Sequence, residues 1–203
     1  MTGVLASLLA FSGAALALVL LPGPDSVLVL RSGVLGGRAL ASRAAAGVLC
    51  GLLVWVAAAV LGLAALLRAS EAGYTVLRFA GAAYLVWLGV QALRRRPGSD
   101  APVPARSGGG FRTGFVTNVL NPKVGVFFVT FLPGFVPAGA PVAATSLLLG
   151  AVYVALTLLY FAVLVTLLRR AGQWLARESV QRVLDRVAGV FLVGFGIRLA
   201  THA

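Results

Sequence analysis

Apolar residues occur along the chain in six long runs, separated by short segments that carry most of the charge. Each run is long enough to cross the hydrocarbon core of a bilayer as a helix, which takes about 20 residues. Helices are expected because open strands leave backbone groups unsatisfied in lipid. The pattern therefore predicts an all-α membrane protein with six transmembrane helices, at Val4–Leu30, Ala44–Leu67, Tyr74–Leu93, Phe115–Val136, Val142–Leu168 and Val183–Ala200.

Composition agrees with a chain that lies in the lipid bilayer. Hydrophobic residues make up 60% of the sequence and charged residues only 11%, against roughly 25% charged in a soluble domain. The net charge of +12 would suit a nucleic-acid partner, but the arginines lie in the segments between apolar runs, as membrane topology requires. We therefore expect no nucleic-acid partner.

The arginines alternate between the two sides of the predicted bundle. Thirteen of them fall between spans one and two, three and four, or five and six, at Arg31, Arg38, Arg43, Arg94, Arg95, Arg96, Arg106, Arg112, Arg169, Arg170, Arg177, Arg182 and Arg186. The opposite side carries Arg68, Arg78 and Arg198. The positive-inside rule then predicts that the thirteen are cytoplasmic and that both termini lie outside the cytoplasm.

A polar segment at residues 94–110 divides the single membrane domain of residues 1–203 into two halves. It is rich in Pro, Gly and Ser, without apolar periodicity, and predicts a flexible cytoplasmic linker between repeats at residues 1–93 and 111–203. Three spans per half means that the halves enter the membrane in opposite directions, as in inverted-repeat transporters. Pro22 and Pro122, one hundred positions apart, each interrupt the first span of their half.

The first interruption is the segment Pro22, Gly23, Pro24 and Asp25. Two prolines remove backbone donors and Gly23 adopts conformations closed to other residues, so the span should divide into two half-helices. Asp25 suits the start of the second half. The alternative is an ordinary proline kink in which Asp25 only caps a helix.

The second interruption holds Asn118, Asn121, Pro122 and Lys123. Lys123 is the only lysine in the chain and lies within an apolar run, where a charge costs a few kcal/mol or more. Such a residue usually faces a protein interior or a water-filled path. The alternative is an ion pair, with Asp25 as partner, that only holds helices together.

In an inverted repeat the two breaks meet near the midplane, where broken helices form substrate sites. Lys123 and a half-helix N-terminus suit a carboxylate, and Asp25 with unpaired carbonyls suits an amine. The predicted substrate is thus a small zwitterionic or cationic solute. The predicted substrate-binding residues are Pro22, Gly23, Pro24, Asp25, Asn118, Asn121, Pro122 and Lys123.

The sequence resembles the LysE/RhtB family of amino-acid exporters over nearly its whole length. The matching motifs are an ordered set at residues 21–25, 36–38, 80–85, 88–89, 111–115, 118–123 and 131–135. The family's PGP and NPK signatures correspond here to Pro22–Pro24 and Asn121–Lys123, and Gly134 departs from the family, where many members carry Gln. The resemblance implies a six-span exporter of amino acids or their derivatives in a bacterial inner membrane. It also implies the proton gradient as energy source. Asp25 is the candidate proton site, because a carboxyl group is neutral when unpaired in a dry site and ionised near Lys123.

Other functions have less support in the sequence. A divalent metal exporter would need more ligands than the one carboxylate in the span interiors, so no metal site is predicted. Cys50 and His202 are isolated, so no cofactor site is predicted. The same isolation leaves few residues for an enzyme's catalytic site. A channel or a membrane protein without transport activity stays open. Tyr153, Thr157 and Tyr160 share a helix face and either line a path or hydrogen-bond between helices. The Gly47/Gly51 pair permits close helix contact, within one chain or in a homodimer.

Overall fold

The computed structural model describes residues 2–21, 23–69, 71–94, 110–137, 139–168, 170 and 177–201. Pro22, most of the predicted linker at residues 94–110, Arg169 and His202 lie outside these ranges. The described elements are helices, α1 (Thr2–Leu20), α2 (Pro24–Ala69), α3 (Glu71–Arg94), α4 (Phe111–Val119), α5 (Pro122–Val126), α6 (Val142–Thr166) and α7 (Glu178–Thr201). A π-helical turn at Phe127–Phe131 and a 3₁₀ turn at Leu132–Phe135 continue α5.

Both predicted interruptions are present as breaks between helices. Helix α1 ends at Leu20 and α2 begins at Pro24, while α4 ends at Val119 and α5 begins at Pro122. Proline fixes the backbone torsion φ near −65° and lacks the N–H that a first helical residue leaves unbonded, which makes it a favourable starting residue. In each half of the chain, a proline thus lies where one helical segment ends and the next begins.

The connection between the first two predicted spans is shorter than the sequence suggested. Residues 31–43 were expected to form a loop, but only Gly36 and Gly37 depart from helical geometry inside α2. Gly37 has φ 65°, a left-handed conformation that favours glycine. The chain therefore changes direction over two residues, and the helical segment that carries Asp25 extends to this turn.

Two helices in the described ranges are long and apolar enough to cross a membrane, judged by length and composition, at Pro24–Gly62 and Val142–Thr166. A shorter apolar helix lies at Ser7–Leu20. The main packing pairs are α2 with α4 and with α6, and α3 with α7. Both α4 and α6 therefore pack against α2, the helix that begins at the first break.

Small residues allow the backbones of α2 and α4 to approach closely. A Cβ atom on Gly47 would overlap the carbonyl of Phe111, and one on Gly114 would overlap the carbonyl of Ala44. Gly51 lies against the side chain of Asn118 in the same way. The Gly47/Gly51 pair predicted from sequence therefore makes its close contact within one chain.

Aromatic rings fill the core beyond the second break. Phe127 stacks on Phe131 with ring centroids 4.4 Å apart, and Phe131 lies 3.9 Å from Phe195 of α7. We call this set the aromatic cluster, and its members are Phe11, Phe127, Phe128, Phe131, Phe135, Tyr153 and Phe195. Rings from α1, α6, α7 and the second break thus form one apolar block.

Candidate functional site

The first break presents a carbonyl and a carboxylate to the second break. Leu21 follows the last turn of α1, and its carbonyl oxygen accepts a hydrogen bond from Lys123 Nζ at 2.8 Å. The ammonium group therefore lies at the negative end of the α1 dipole, where a cation is stabilised. Gly23 makes room for it, since a Cβ atom there would lie 3.4 Å from Lys123 Nζ.

The second break contributes two side-chain amides that donate hydrogen bonds to the first break. Asn118, near the end of α4, donates through Nδ2 to Asp25 Oδ2 at 2.9 Å. Asn121 donates to the same oxygen at 3.0 Å, while its own Oδ1 accepts from the backbone N–H of Lys123 at 3.1 Å and caps α5. One carboxylate oxygen of Asp25 is thus fixed by two side chains almost one hundred residues away.

The second carboxylate oxygen of Asp25 remains available as an acceptor. Asp25 Oδ1 and Asn118 Oδ1 are both buried and accept no hydrogen bond from any described residue. Leaving a buried polar atom unsatisfied costs about 1–3 kcal/mol. Such a cost at two neighbouring oxygens is typical of a site that receives a donor from a ligand, a proton or water.

The two breaks enclose a small cavity of about 30 Å³. That volume holds roughly one water molecule. The side chains of Asp25 and Lys123 both border it, and their charges interact. Its full lining is Leu18, Val19, Leu21, Gly23, Asp25, Ser26, Leu52, Asn118, Asn121, Lys123, Val124, Tyr153, Thr157, Tyr160 and Phe161.

Helix α6 supplies most of the hydroxyl groups of the cavity wall, and Ser26 of α2 supplies another. Tyr160 donates through its hydroxyl to Ser26 Oγ at 3.2 Å, and Thr157 donates to the backbone carbonyl of Tyr153 at 2.8 Å. The i, i+4, i+7 spacing of Tyr153, Thr157 and Tyr160 places all three on the face towards the cavity. The spacing indicated this face from the sequence alone, although it left open what the face contacts.

Helix α2 fixes the position of Asn118. Trp55 donates through Nε1 to the backbone carbonyl of Asn118 at 3.2 Å, and the Asn118 side chain lies 2.9 Å from where a Cβ atom on Gly51 would be. The same carbonyl accepts from the backbone N–H of Asn121 at 3.0 Å, so a carbonyl near the end of α4 is satisfied by a side chain and by the backbone of the second break. Asn118 is held from both directions, which aims its amide at Asp25.

The structure separates the predicted site residues into two groups. Gly23, Asp25, Asn118, Asn121 and Lys123 line the cavity, whereas Pro24 and Pro122 are exposed first residues of helices and shape the breaks. Pro22 lies outside the described residues. Sequence reasoning missed Ser26, Leu52 and Phe161, because a small hydroxyl or an apolar residue in an apolar helix gives no signal. The binding of substrate by any of these residues stays a prediction.

Comparison with known proteins gives one consistent result. The family model described as LysE type translocator matches residues 16–203. The membrane protein YrhP of Bacillus subtilis (strain 168) is 30% identical over 204 residues, which is 95% of this chain and 97% of that protein. The threonine efflux protein of Escherichia coli (strain K12) is 32% identical over 186 residues, 88% of this chain and 89% of that protein.

A third relative carries a different substrate name. The homoserine/homoserine lactone efflux protein of Salmonella typhi is 29% identical over 191 residues, 92% of this chain and 93% of that protein. No solved structure matches the chain. Similarity of this extent covers both breaks and the helices that support them.

Proposed function

We propose that this chain, which belongs to the family of LysE type translocators, exports a small amino acid or amino-acid derivative from the cytoplasm and is driven by the proton gradient. Members of the family are membrane transporters and not enzymes, and relatives of this chain are named for amino-acid efflux. The observation that carries the proposal is the meeting of Asp25, Asn118, Asn121 and Lys123 at one cavity between two broken helices.

The charges of this cavity suit both ends of an amino acid. A substrate ammonium group would donate to Asp25 Oδ1, which is buried and accepts no hydrogen bond from the described residues. A substrate carboxylate would take the Lys123 ammonium group from the Leu21 carbonyl, to which it now donates. Ionised partners make stronger hydrogen bonds than neutral ones, so both exchanges favour the zwitterion.

The hydroxyl groups of the wall favour a small polar side chain. Ser26, Thr157 and Tyr160 border the same cavity as the charged groups. Threonine and homoserine, for which two of the relatives are named, carry hydroxyl groups that would bond to such a wall. We therefore expect small hydroxylated amino acids among the substrates.

The size of the cavity implies a conformational step in transport. A volume of about 30 Å³ holds roughly one water molecule, so an amino acid enters only when the surrounding helices separate. The aromatic cluster closes the apolar side of the site, where Phe127 and Phe128 contact Tyr153 of the wall. The conformation is closed, and alternating access requires that it open to each side in turn.

Six spans in two inverted repeats are part of the proposal, and the packing of α3 on α7 supports them. A Cβ atom on Gly89 would meet Gly189 O and Val193, and one on Gly189 would meet Gly89 O and Leu93. Exchanging each residue for its counterpart one hundred positions away leaves these contacts unchanged. That reciprocity is expected of a two-fold axis between antiparallel helices in the membrane plane.

Proton coupling is proposed for Asp25. A proton on Oδ1 and a substrate ammonium group would compete for the same oxygen, since Oδ2 is already taken by Asn118 and Asn121. Binding of one then requires release of the other, which is the condition for exchange of a proton against substrate. No other carboxylate borders the cavity among the described residues.

Uptake into inside-out membrane vesicles tests the proposal. Vesicles with an acidic lumen and radiolabelled threonine, homoserine, leucine or lysine should accumulate at least one amino acid above its external concentration. Collapse of the pH gradient should abolish the accumulation, and vesicles without the protein serve as control. Equilibration without accumulation would indicate a channel, and no movement of any amino acid would contradict the proposal.

A further inference from the structure

A second, larger pocket lies away from the candidate transport site. It has a volume of about 630 Å³ and is lined by Gly33, Gly37, Arg38, Thr166, Leu167, Leu168 and Arg170. The pocket is formed where the Gly36–Gly37 turn of α2 meets the end of α6. Transport as proposed uses none of these residues.

Two arginines give the pocket its charge. Arg38 donates through Nη2 to the carbonyl oxygen of Thr166 at 2.7 Å, across the end of α6. That bond uses one of the five N–H donors of the guanidinium group and holds the group at the pocket. Arg170 is exposed on the other wall, and the described lining contains no acidic residue.

Exposed apolar side chains occur on the two helices that form this cationic pocket. Val34 and Leu35, just before the turn, are 85% and 67% exposed, and Leu167 is 45% exposed. Exposed apolar side chains beside fixed arginines fit a ligand with an anionic group and a hydrocarbon part. Both arginines belong to the arginine-rich ends of the helices, which we placed at the cytoplasmic membrane surface.

We infer that this pocket binds the phosphate group of an anionic phospholipid from the cytoplasmic leaflet. Planar guanidinium groups bind phosphate oxygens in pairs, and basic pockets between transmembrane helices on the cytoplasmic side bind anionic head groups. The acyl chains would lie against Val34, Leu35 and Leu167. The lipid would bridge the turn of α2 and the end of α6, the two helices that carry Asp25 and the hydroxyl wall.

Native mass spectrometry of the purified protein tests this inference. Detergent-solubilised protein is mixed with phosphatidylglycerol or with phosphatidylcholine of the same acyl chains. We expect selective retention of phosphatidylglycerol, reduced about tenfold in R38Q/R170Q, as expected for loss of two charge-assisted contacts. The single variant R170Q should lose part of the binding without touching the Arg38–Thr166 bond. R43Q, which changes an exposed arginine of α2 outside the pocket, should bind like the unchanged protein.

Two results would overturn the inference. Equal retention of both lipids, or unchanged phosphatidylglycerol binding in a double variant that remains monodisperse, would exclude a phosphate contact at these arginines. Complete displacement of phosphatidylglycerol by millimolar inorganic phosphate would identify a free anion as the ligand instead. Because this experiment measures lipid binding, a negative result would contradict the lipid site without contradicting the proposed transport function.

Discussion

At the residue scale, Asp25 is the group that we propose couples transport to the proton gradient. Asn at this position keeps the size of the side chain and one acceptor for the amides of Asn118 and Asn121, but it cannot take up or release a proton. We expect D25N to fold and to lose accumulation of substrate against a gradient. The measurement is uptake into inside-out vesicles at equal protein amounts.

The matched control for this change is E178Q. Glu178 forms an exposed ion pair with Arg182 at 3.7 Å, and exposed pairs contribute about 0–1 kcal/mol to stability. E178Q should therefore transport like the unchanged protein. Full gradient-driven uptake by D25N would assign Asp25 a structural role only.

Lys123 has two proposed partners, the Leu21 carbonyl in the closed state and a substrate carboxylate during transport. K123M removes a hydrogen bond from a charged donor, a contact of about 1.5–3 kcal/mol. We expect the KM for an amino acid to rise by about tenfold or more. Transport of the corresponding methyl ester, which lacks the carboxylate, should change much less.

The comparison of the two substrates separates binding from structure. An equal loss for the amino acid and its ester would mean that Lys123 serves only to hold α1 against the second break. K123R is informative beside it, because a guanidinium group keeps the charge but has a different shape and a bulkier end. If Lys123 binds the substrate through its charge alone, K123R should have a KM between those of the unchanged protein and K123M.

The sequence predicted much of the site at this scale, and its gaps have a physical cause. A lysine and an aspartate in apolar runs are costly, so their positions were informative without a structure. The sequence did not reveal that Lys123 would bond to a backbone carbonyl, because every residue carries one. Leu52 and Phe161 gave no signal either, since an apolar residue in an apolar helix has the same appearance on a lipid face and on a cavity wall.

At the scale of elements, contact between α2 and α4 fixes the distance between the two breaks. Val in place of Gly51 would overlap the side chain of Asn118. Overpacking of this kind costs about 1–3 kcal/mol. We expect G51V to lower the midpoint of thermal unfolding in detergent and to reduce transport, because the Asn118 amide moves away from Asp25.

Gly62 provides the control within the same helix. A Cβ atom there meets nothing within 4 Å, so G62V should leave both the unfolding midpoint and transport nearly unchanged. Equal effects of G51V and G62V would show that valine destabilises α2 at either position. The Asn118 contact would then have no special part in the result.

Helix breaks were predictable where residue types force them, and other irregularities were not. Proline cannot continue the backbone hydrogen bonding, so Pro24 and Pro122 located both breaks. The sequence predicted a longer loop between the first two spans, whereas the structure has a two-residue turn at Gly36–Gly37. Sequence spacing does not reveal how few residues such a turn needs. Nothing in Phe127–Phe131 indicated a π-helical turn, because its apolar side chains are equally compatible with an α-helix.

For the whole molecule, the proposed inverted repeat would explain why both halves contribute one break to one cavity. If the halves are related by an axis in the membrane plane, breaks at the same depth in each half meet near that axis. The Asp25–Asn121 bond and the reciprocal Gly89–Gly189 contact would then follow from one symmetry operation. The spacing of Pro22 and Pro122 by one hundred positions could not establish this, since one matching pair arises often by chance.

The orientation of the chain is the last testable consequence, because inverted halves with three spans each place both termini on one side. The six predicted spans put thirteen arginines on the opposite side, and the positive-inside rule predicts that this side is cytoplasmic. Alkaline phosphatase fused after Ala203 should be active, since it folds outside the cytoplasm, whereas a green fluorescent protein fusion there should be dark. The same two reporters fused after Arg96, in the predicted linker, should give the reverse pattern. An inactive phosphatase and a fluorescent green fluorescent protein at Ala203 would place that end of the chain in the cytoplasm and contradict the predicted orientation. A cytoplasmic result at both Ala203 and Arg96 would require an even number of spans between them and would contradict the six-span inverted repeat, even if transport were demonstrated.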